Sequence, residues 1–143
     1  MTTLVATILQ NKARELSTAL AGDSVAAAVT LLAERRIGAL PVLDAGGRLI
    51  GILSERDVVR ALAADPAVLT RRVEELMTSE VKTCSLHDSV LELMGIMTRG
   101  RFRHVPVLHD GKLVGIMSIG DVVKHRLEEA QFELEALKSY IAS

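Results

Sequence analysis

The chain has 143 residues, enough for one ordinary domain or two very small ones, and folding at this size removes roughly 70% of the unfolded surface from water. Hydrophobic residues make up 49% and charged residues 24%, which excludes a disordered acidic or basic chain. Seventeen Lys plus Arg against eighteen Asp plus Glu leave a net charge of −1, so no global field draws the protein to nucleic acid or to an anionic membrane.

Aromatic residues are only 2%, too few for the base-stacking platforms of single-strand binders, so the core must be aliphatic. The single cysteine, Cys84, excludes an internal disulfide, and the four histidines lack metal-ligand spacing. No basic leader precedes the short apolar run Leu4 to Leu9, and no run approaches 18 apolar residues. These features point to a reducing, cytoplasmic compartment with no membrane partner.

In chain order, Val5-x-x-Ile8-Leu9 reads as a first helical turn and Leu16 to Leu20 as a short leading strand. Asp23-Ser24 then caps a helix that carries Val25, Val29 and Leu32 on one face. The period changes at Ala39 to Leu43 and Arg48 to Leu53, two apolar runs around Ala45-Gly46-Gly47, which predict a hairpin. A helix starts at Ser54 and turns Val58-Val59 inward. Asp65-Pro66-Ala67 breaks the chain, because proline disfavours helix at the residue before it.

The same order then returns. Val73-x-x-Leu76-Met77 is a helical turn, Val81 to Ser85 a leading strand, and Asp88-Ser89 caps a helix with Val90, Met94 and Met97 inward. Val105 to Leu108 and Lys112 to Met117 form the second hairpin, and Ser118 opens a helix carrying Val122-Val123 inward. Asp23-Ser24-Val25 and Pro41-Val42-Leu43 recur 65 residues later, whereas Gly51-Ile52-Leu53-Ser54-x-x-Asp57-Val58-Val59 recurs after 64 because the hairpin turn has shortened to Asp110-Gly111. Two copies of one unit therefore span 4–66 and 73–127, and neither is large enough to bury its sheet and helices alone. From Asp121 to Ala142 the chain has no Gly or Pro, and Val123, Leu127, Ala130, Leu134, Leu137 and Ile141 alternate steps of four and three. That pattern predicts a long helix, 121–142, either docked along its own module or paired with a second chain.

Ser54-x-x-Asp57 and Ser118-x-x-Asp121 admit two readings. As capping boxes, the serine accepts from the third helical amide and the acid returns the bond. As a ligand site, the hydroxyl and helix amides receive phosphate while the carboxylate accepts from vicinal ribose hydroxyls. Asp in both copies, where a box prefers Glu or Gln, and a preceding Gly in both favour the second reading. Arg103-His104 abuts a buried strand, so one of the two should point into a cleft between the units, and Arg56 inside the first motif stands where the second has Gly120. Arg35, Arg99 and Arg101 read as solvated charges, and His87, His109 and His125 as structural or surface residues. No nucleophile, base and orienting group come together in the sequence, so catalysis is not expected.

With these residues in view, the repeats resemble cystathionine-beta-synthase (CBS) domains over about residues 4 to 127. The resemblance rests on Gly51 to Asp57, Gly115 to Asp121, the Pro-Val strands at Pro41 and Pro106, and the leading Thr18 and Thr83. It implies an α+β or α/β fold of two pseudo-twofold β-α-β-β-α repeats packed together, with an extended C-terminal helix. It further implies a non-catalytic module that binds AMP, ADP, ATP, NAD or S-adenosylmethionine between its repeats, and that pairs as a homodimer. By the resemblance, Asp57 and Asp121 would hold ribose and Ser54 and Ser118 phosphate; a guanidinium in the cleft, from Arg103 or Arg56, would by its charge meet further phosphate oxygens. Thr18, Leu20, Thr83 and Cys84 would contact the base, while Ala39, Leu40, Pro41, His104, Val105 and Pro106 would close the other side. Where the family often has Pro before the acid that opens the first helix, this chain has Ala21-Gly22-Asp23 and Leu86-His87-Asp88. The module would act on a separate regulated protein; the alternative is an interaction or scaffold protein with no small-molecule ligand.

Overall fold

The computed structural model describes residues 3–12 and 15–142. Its elements run α1 (Val5–Gln10), β1 (Ala19–Leu20), α2 (Val25–Arg35), β2 (Ala39–Leu43), β3 (Leu49–Ser54) and α3 (Glu55–Ala64). A 3-10 turn over Pro66–Thr70 follows, then α4 (Val73–Leu76), β4 (Cys84–Ser85), α5 (Val90–Gly100), β5 (His104–His109), β6 (Lys112–Ser118) and α6 (Ile119–Ala142).

Each repeat forms one three-stranded sheet, in order β1-β2-β3 and β4-β5-β6, with the first pair parallel and the second antiparallel. The leading strands are only two residues long, shorter than the runs 16–20 and 81–85 predict, because just Ala19-Leu20 and Cys84-Ser85 reach a neighbouring strand. Ser24 and Ser89 cap α2 and α5 as expected, accepting from Ala27 N at 3.1 Å and Glu92 N at 3.0 Å. Asp65 caps the 3-10 turn at the predicted break. The shorter hairpin closes through Asp110 and Gly111, both with positive φ, a turn for which Asp-Gly is suited.

Packing exchanges the leading helices. Val5 and Ile8 of α1 belong to the second repeat's core, with Leu93, Val105, Val107 and Met117, whereas Val73 of α4 belongs to the first repeat's core, with Leu40, Val42 and Leu53. Backbone bonds fasten the exchange: Val5 N donates to Asp88 O and Val90 N to Thr3 O, while Val73 N donates to Asp23 O and Val25 N to Arg71 O. Each aliphatic core is thus completed by the other repeat's helix, which answers the shortage of large side chains in either unit alone.

Two expectations about inward faces need correction. Val58 and Val122 are buried, but Val59 is 66% and Val123 51% exposed, because adjacent residues on a helix point about 100° apart and only one meets the sheet. The long helix is present and begins two residues early, at Ile119. It does not dock along its own module: every residue from Ala130 to Ala142 is exposed.

Candidate functional site

Two clefts open between the repeats, and each is assembled from both. The larger, about 850 Å³, joins Ser118, Gly120 and Asp121 of the second repeat to Arg36, Ile37, Gly38 and Ala39 of the first, with the segment after α1 contributing Lys12 and Ser17. The smaller, about 280 Å³, joins Ser54, Arg56 and Asp57 of the first repeat to Phe102 and Arg103 of the second, with Glu80, Val81 and Lys82 from the segment after α4. Gly38 and His104 line both. A Cβ on Gly38 would meet the His104 ring at 3.2 Å, so the two residues form a thin wall between the clefts.

Both Ser-x-x-Asp motifs make complete capping boxes. Asp57 N donates to Ser54 Oγ at 3.2 Å and Ser54 N to Asp57 Oδ2 at 3.0 Å; the second copy repeats this at 3.1 and 2.8 Å. The first amides of α3 and α6 are spent on the opposite side of the hairpin, Glu55 N on Gly38 O and Ile119 N on Arg103 O. What remains at each helix start, among the described residues, is the amide of Arg56 or Gly120, the serine hydroxyl proton and the Oδ1 of the aspartate. That is a small set of donors beside one acceptor, suited to a ligand that carries both an anion and a diol.

The clefts differ electrostatically. Burial pulls the Asp121 carboxyl up, but the Lys12 ammonium and the Ser118 amide outweigh it and hold the group below the ordinary carboxylate range. Lys12 Nζ lies 2.8 Å from Asp121 Oδ2 and 2.7 Å from Ile116 O. Burial lowers the His104 pKa, offset in part by Glu55. His125, half-buried on the larger cleft, brings Nε2 to 3.2 Å from Glu129 Oε1 without the alignment of a hydrogen bond.

Of the residues singled out from sequence, Ala39, Ser118 and Asp121 line the larger cleft, Ser54, Arg56, Asp57 and Arg103 the smaller, and His104 both. Leu40, Pro41, Cys84, Val105 and Pro106 are buried in the sheets, and Thr18 and Thr83 are half-buried; none of these lines either cleft. Leu20 is exposed outside both. Burial first, and Asp88 second, push the Cys84 thiol up to about 12, which makes it a core residue at neutral pH. Lys12, Ile37, Glu80 and Phe102 are wall residues that motif reading passed over. Ile37 and Phe102 gave a positional signal, each two residues ahead of a strand at matched places in the two repeats, whereas Lys12 and Glu80 lie on the segments that follow the leading helices.

Among the described residues no group of three or more His, Cys, Asp or Glu is arranged to hold a metal ion, and no helix is long and apolar enough to cross a membrane.

Comparison with known proteins places these clefts in a family context. The CBS domain model matches residues 13–64 and 73–128. A mitochondrial CBS domain-containing protein of Arabidopsis thaliana, CBSX3, is 37% identical over 124 residues, covering 83% of this chain and 60% of that protein. Hypoxic response protein 1 of Mycobacterium tuberculosis is 33% identical over 109 residues, 76% of each. The chain thus spans under two thirds of the Arabidopsis relative. A crystal structure of a CBS-domain containing protein from Agrobacterium tumefaciens superimposes with TM-score 0.82 at 45% identity, covering 87% of this chain and 99% of that one. The CBS domain pair of protein MJ0100, solved in complex with 5′-methylthioadenosine and S-adenosyl-L-methionine, superimposes with TM-score 0.81 at 29% identity, covering 90% and 99%.

Proposed function

The chain belongs to the CBS-domain family, and from that premise we propose that it is a non-catalytic regulatory module binding adenine nucleotides in its two inter-repeat clefts. AMP is the first choice, with ADP, ATP, NAD and S-adenosylmethionine in the same class. The observation that carries this reading is the pairing in each cleft of a spare aspartate oxygen with an unused helix amide and a serine hydroxyl. The aspartate takes ribose hydroxyls; the amide and hydroxyl take phosphate, helped in the smaller cleft by Arg56 and Arg103. The adenosine compounds bound by the MJ0100 domain pair support the ligand class. The module acts in the cytoplasm on a separate protein, and it works as a homodimer through the apolar stripe of α6.

Thermal shift and titration calorimetry test the reading. AMP at about 100 times its dissociation constant should stabilise the fold by about 2.7 kcal/mol. Asp57→Ala and Asp121→Ala should each remove one binding event, and Arg103→Ala should weaken AMP more than adenosine. A second reading, an interaction or scaffold protein, is favoured by the capping boxes, which explain both motifs without a ligand. It predicts no selective shift with any adenine compound.

A further inference from the structure

The leading helices correspond at a displacement of 68, Val5 with Val73 and Leu9 with Met77. Three residues further on, the same register aligns Lys12 with Glu80, and each lines the cleft that its segment enters. Glu15, the counterpart of Glu80 at the 65-residue register of the strands, also lines the Asp121 cleft, so what sets that cleft apart is the Lys12 ammonium seated on its aspartate. Lys12 is seated by the fold: α1 lies on β6 at Gly115, where a Cβ would meet Leu9 Cδ1 at 2.5 Å, and the chain leaving α1 delivers Nζ to both Ile116 O and Asp121 Oδ2. Both side chains of the pair are mostly shielded, at 23% and 21% exposure. Among the described residues no ion pair engages Asp57.

A ribose diol held by both oxygens of a carboxylate needs room on each. Asp121 Oδ2 already accepts from Ser118 N and from Lys12. We infer that Lys12 occupies the ribose seat of the Asp121 cleft as an internal latch, which an adenosine ligand must displace, while among the described residues the Asp57 cleft has no such occupant. This rests on the nucleotide reading above. The latch weakens nucleoside binding in one cleft only, and the two clefts therefore respond over different ligand concentrations.

The test uses the full chain with Asp57→Ala, which isolates the Asp121 cleft, and adenosine as a probe without phosphate. Adding Lys12→Met, which keeps most of the side-chain length and removes the charge, should tighten adenosine binding roughly threefold to tenfold in calorimetry. Lys12→Gln should act in the same direction, with an unchanged far-UV circular dichroism spectrum confirming the fold. Unchanged or weaker adenosine binding in both Lys12 variants overturns the latch. AMP weakened with adenosine unchanged also overturns it, and marks Lys12 as a phosphate contact. If no adenine compound binds the unaltered chain, the nucleotide reading falls and the latch with it; binding to the unaltered chain without gain in the variants sinks the latch alone.

Discussion

Asp121 and His104, which both line the larger cleft, make the fold sensitive to acid in two separate ranges. His104 has a lowered pKa, chiefly through burial, so the folded state prefers the neutral ring. Its contribution is complete above the ordinary value of 6.5 and is lost as pH falls from there through the folded value. Asp121 is also lowered, by Lys12 and the Ser118 amide against the pull of burial. Its contribution is complete above the ordinary 3.8 and disappears as pH falls further. Urea denaturation across pH should therefore show a first decline below about 6.5 that His104→Gln removes, and a second in strong acid that Asp121→Asn makes shallower. A stability flat between pH 7.5 and 5.5 in the unaltered chain would contradict the His104 assignment. Cys84 adds nothing to either decline, because its buried thiol stays protonated throughout.

At the scale of elements, the exchanged helices depend on two glycines that let α1 and α4 lie close on the sheets. The three atoms nearest a Cβ at Gly115 all belong to the Leu9 side chain, whereas one at Gly51 would meet Met77 Sδ at 2.5 Å and also the Thr78 carbonyl at 3.0 Å. Thr78 is bonded to Ile52 in both directions, Ile52 N to Thr78 O and Thr78 N to Ile52 O, so that carbonyl has little freedom to retreat. A side chain can rotate away; a bridged backbone cannot. Gly51→Ala should accordingly cost about 2 to 3 kcal/mol and Gly115→Ala about 1 kcal/mol, measured by chemical denaturation. The reverse order would mean that Leu9 is held more rigidly than the Thr78 bridge. Gly115→Ala has a second expected effect, since any shift of α1 carries Lys12 away from Asp121.

At the scale of the whole molecule, α6 presents an apolar stripe that the rest of the described chain leaves exposed. Leu127 is 65% exposed, and Leu134, Leu137 and Ile141 are exposed as well, while Val59 on α3 and Val123 at the start of α6 are exposed apolar residues on the module itself. A helix standing clear of its module with apolar residues at steps of three and four suits a helical partner, and closed twofold pairs are the commonest assembly. Ending the chain after Ala130 keeps Lys124, His125 and Glu128 on the cleft wall, and among the described residues it removes only exposed ones. Light scattering should then report a monomer where the full chain is a dimer, with adenosine affinity unchanged. An undiminished dimer would move the interface to Val59 and Val123.

The sequence by itself determined the local order of elements and the repeat, because periodicity, caps and turn chemistry act over a few residues. Ser24, Ser54, Ser89 and Asp110-Gly111 stop and start elements where their side chains and backbone preferences require, whatever surrounds them. The two Ser-x-x-Asp motifs were legible for the same reason. Tertiary structure decided what no local rule encodes: that α1 completes the second core and α4 the first, that Val59 and Val123 face out, and that Gly38 and His104 divide the clefts. The cleft walls come from segments more than 60 positions apart in the chain, so Lys12 reaches Asp121 across 109 positions. Only the packing of one repeat on the other puts that ammonium beside that carboxylate, and with it makes two similar motifs into unlike sites.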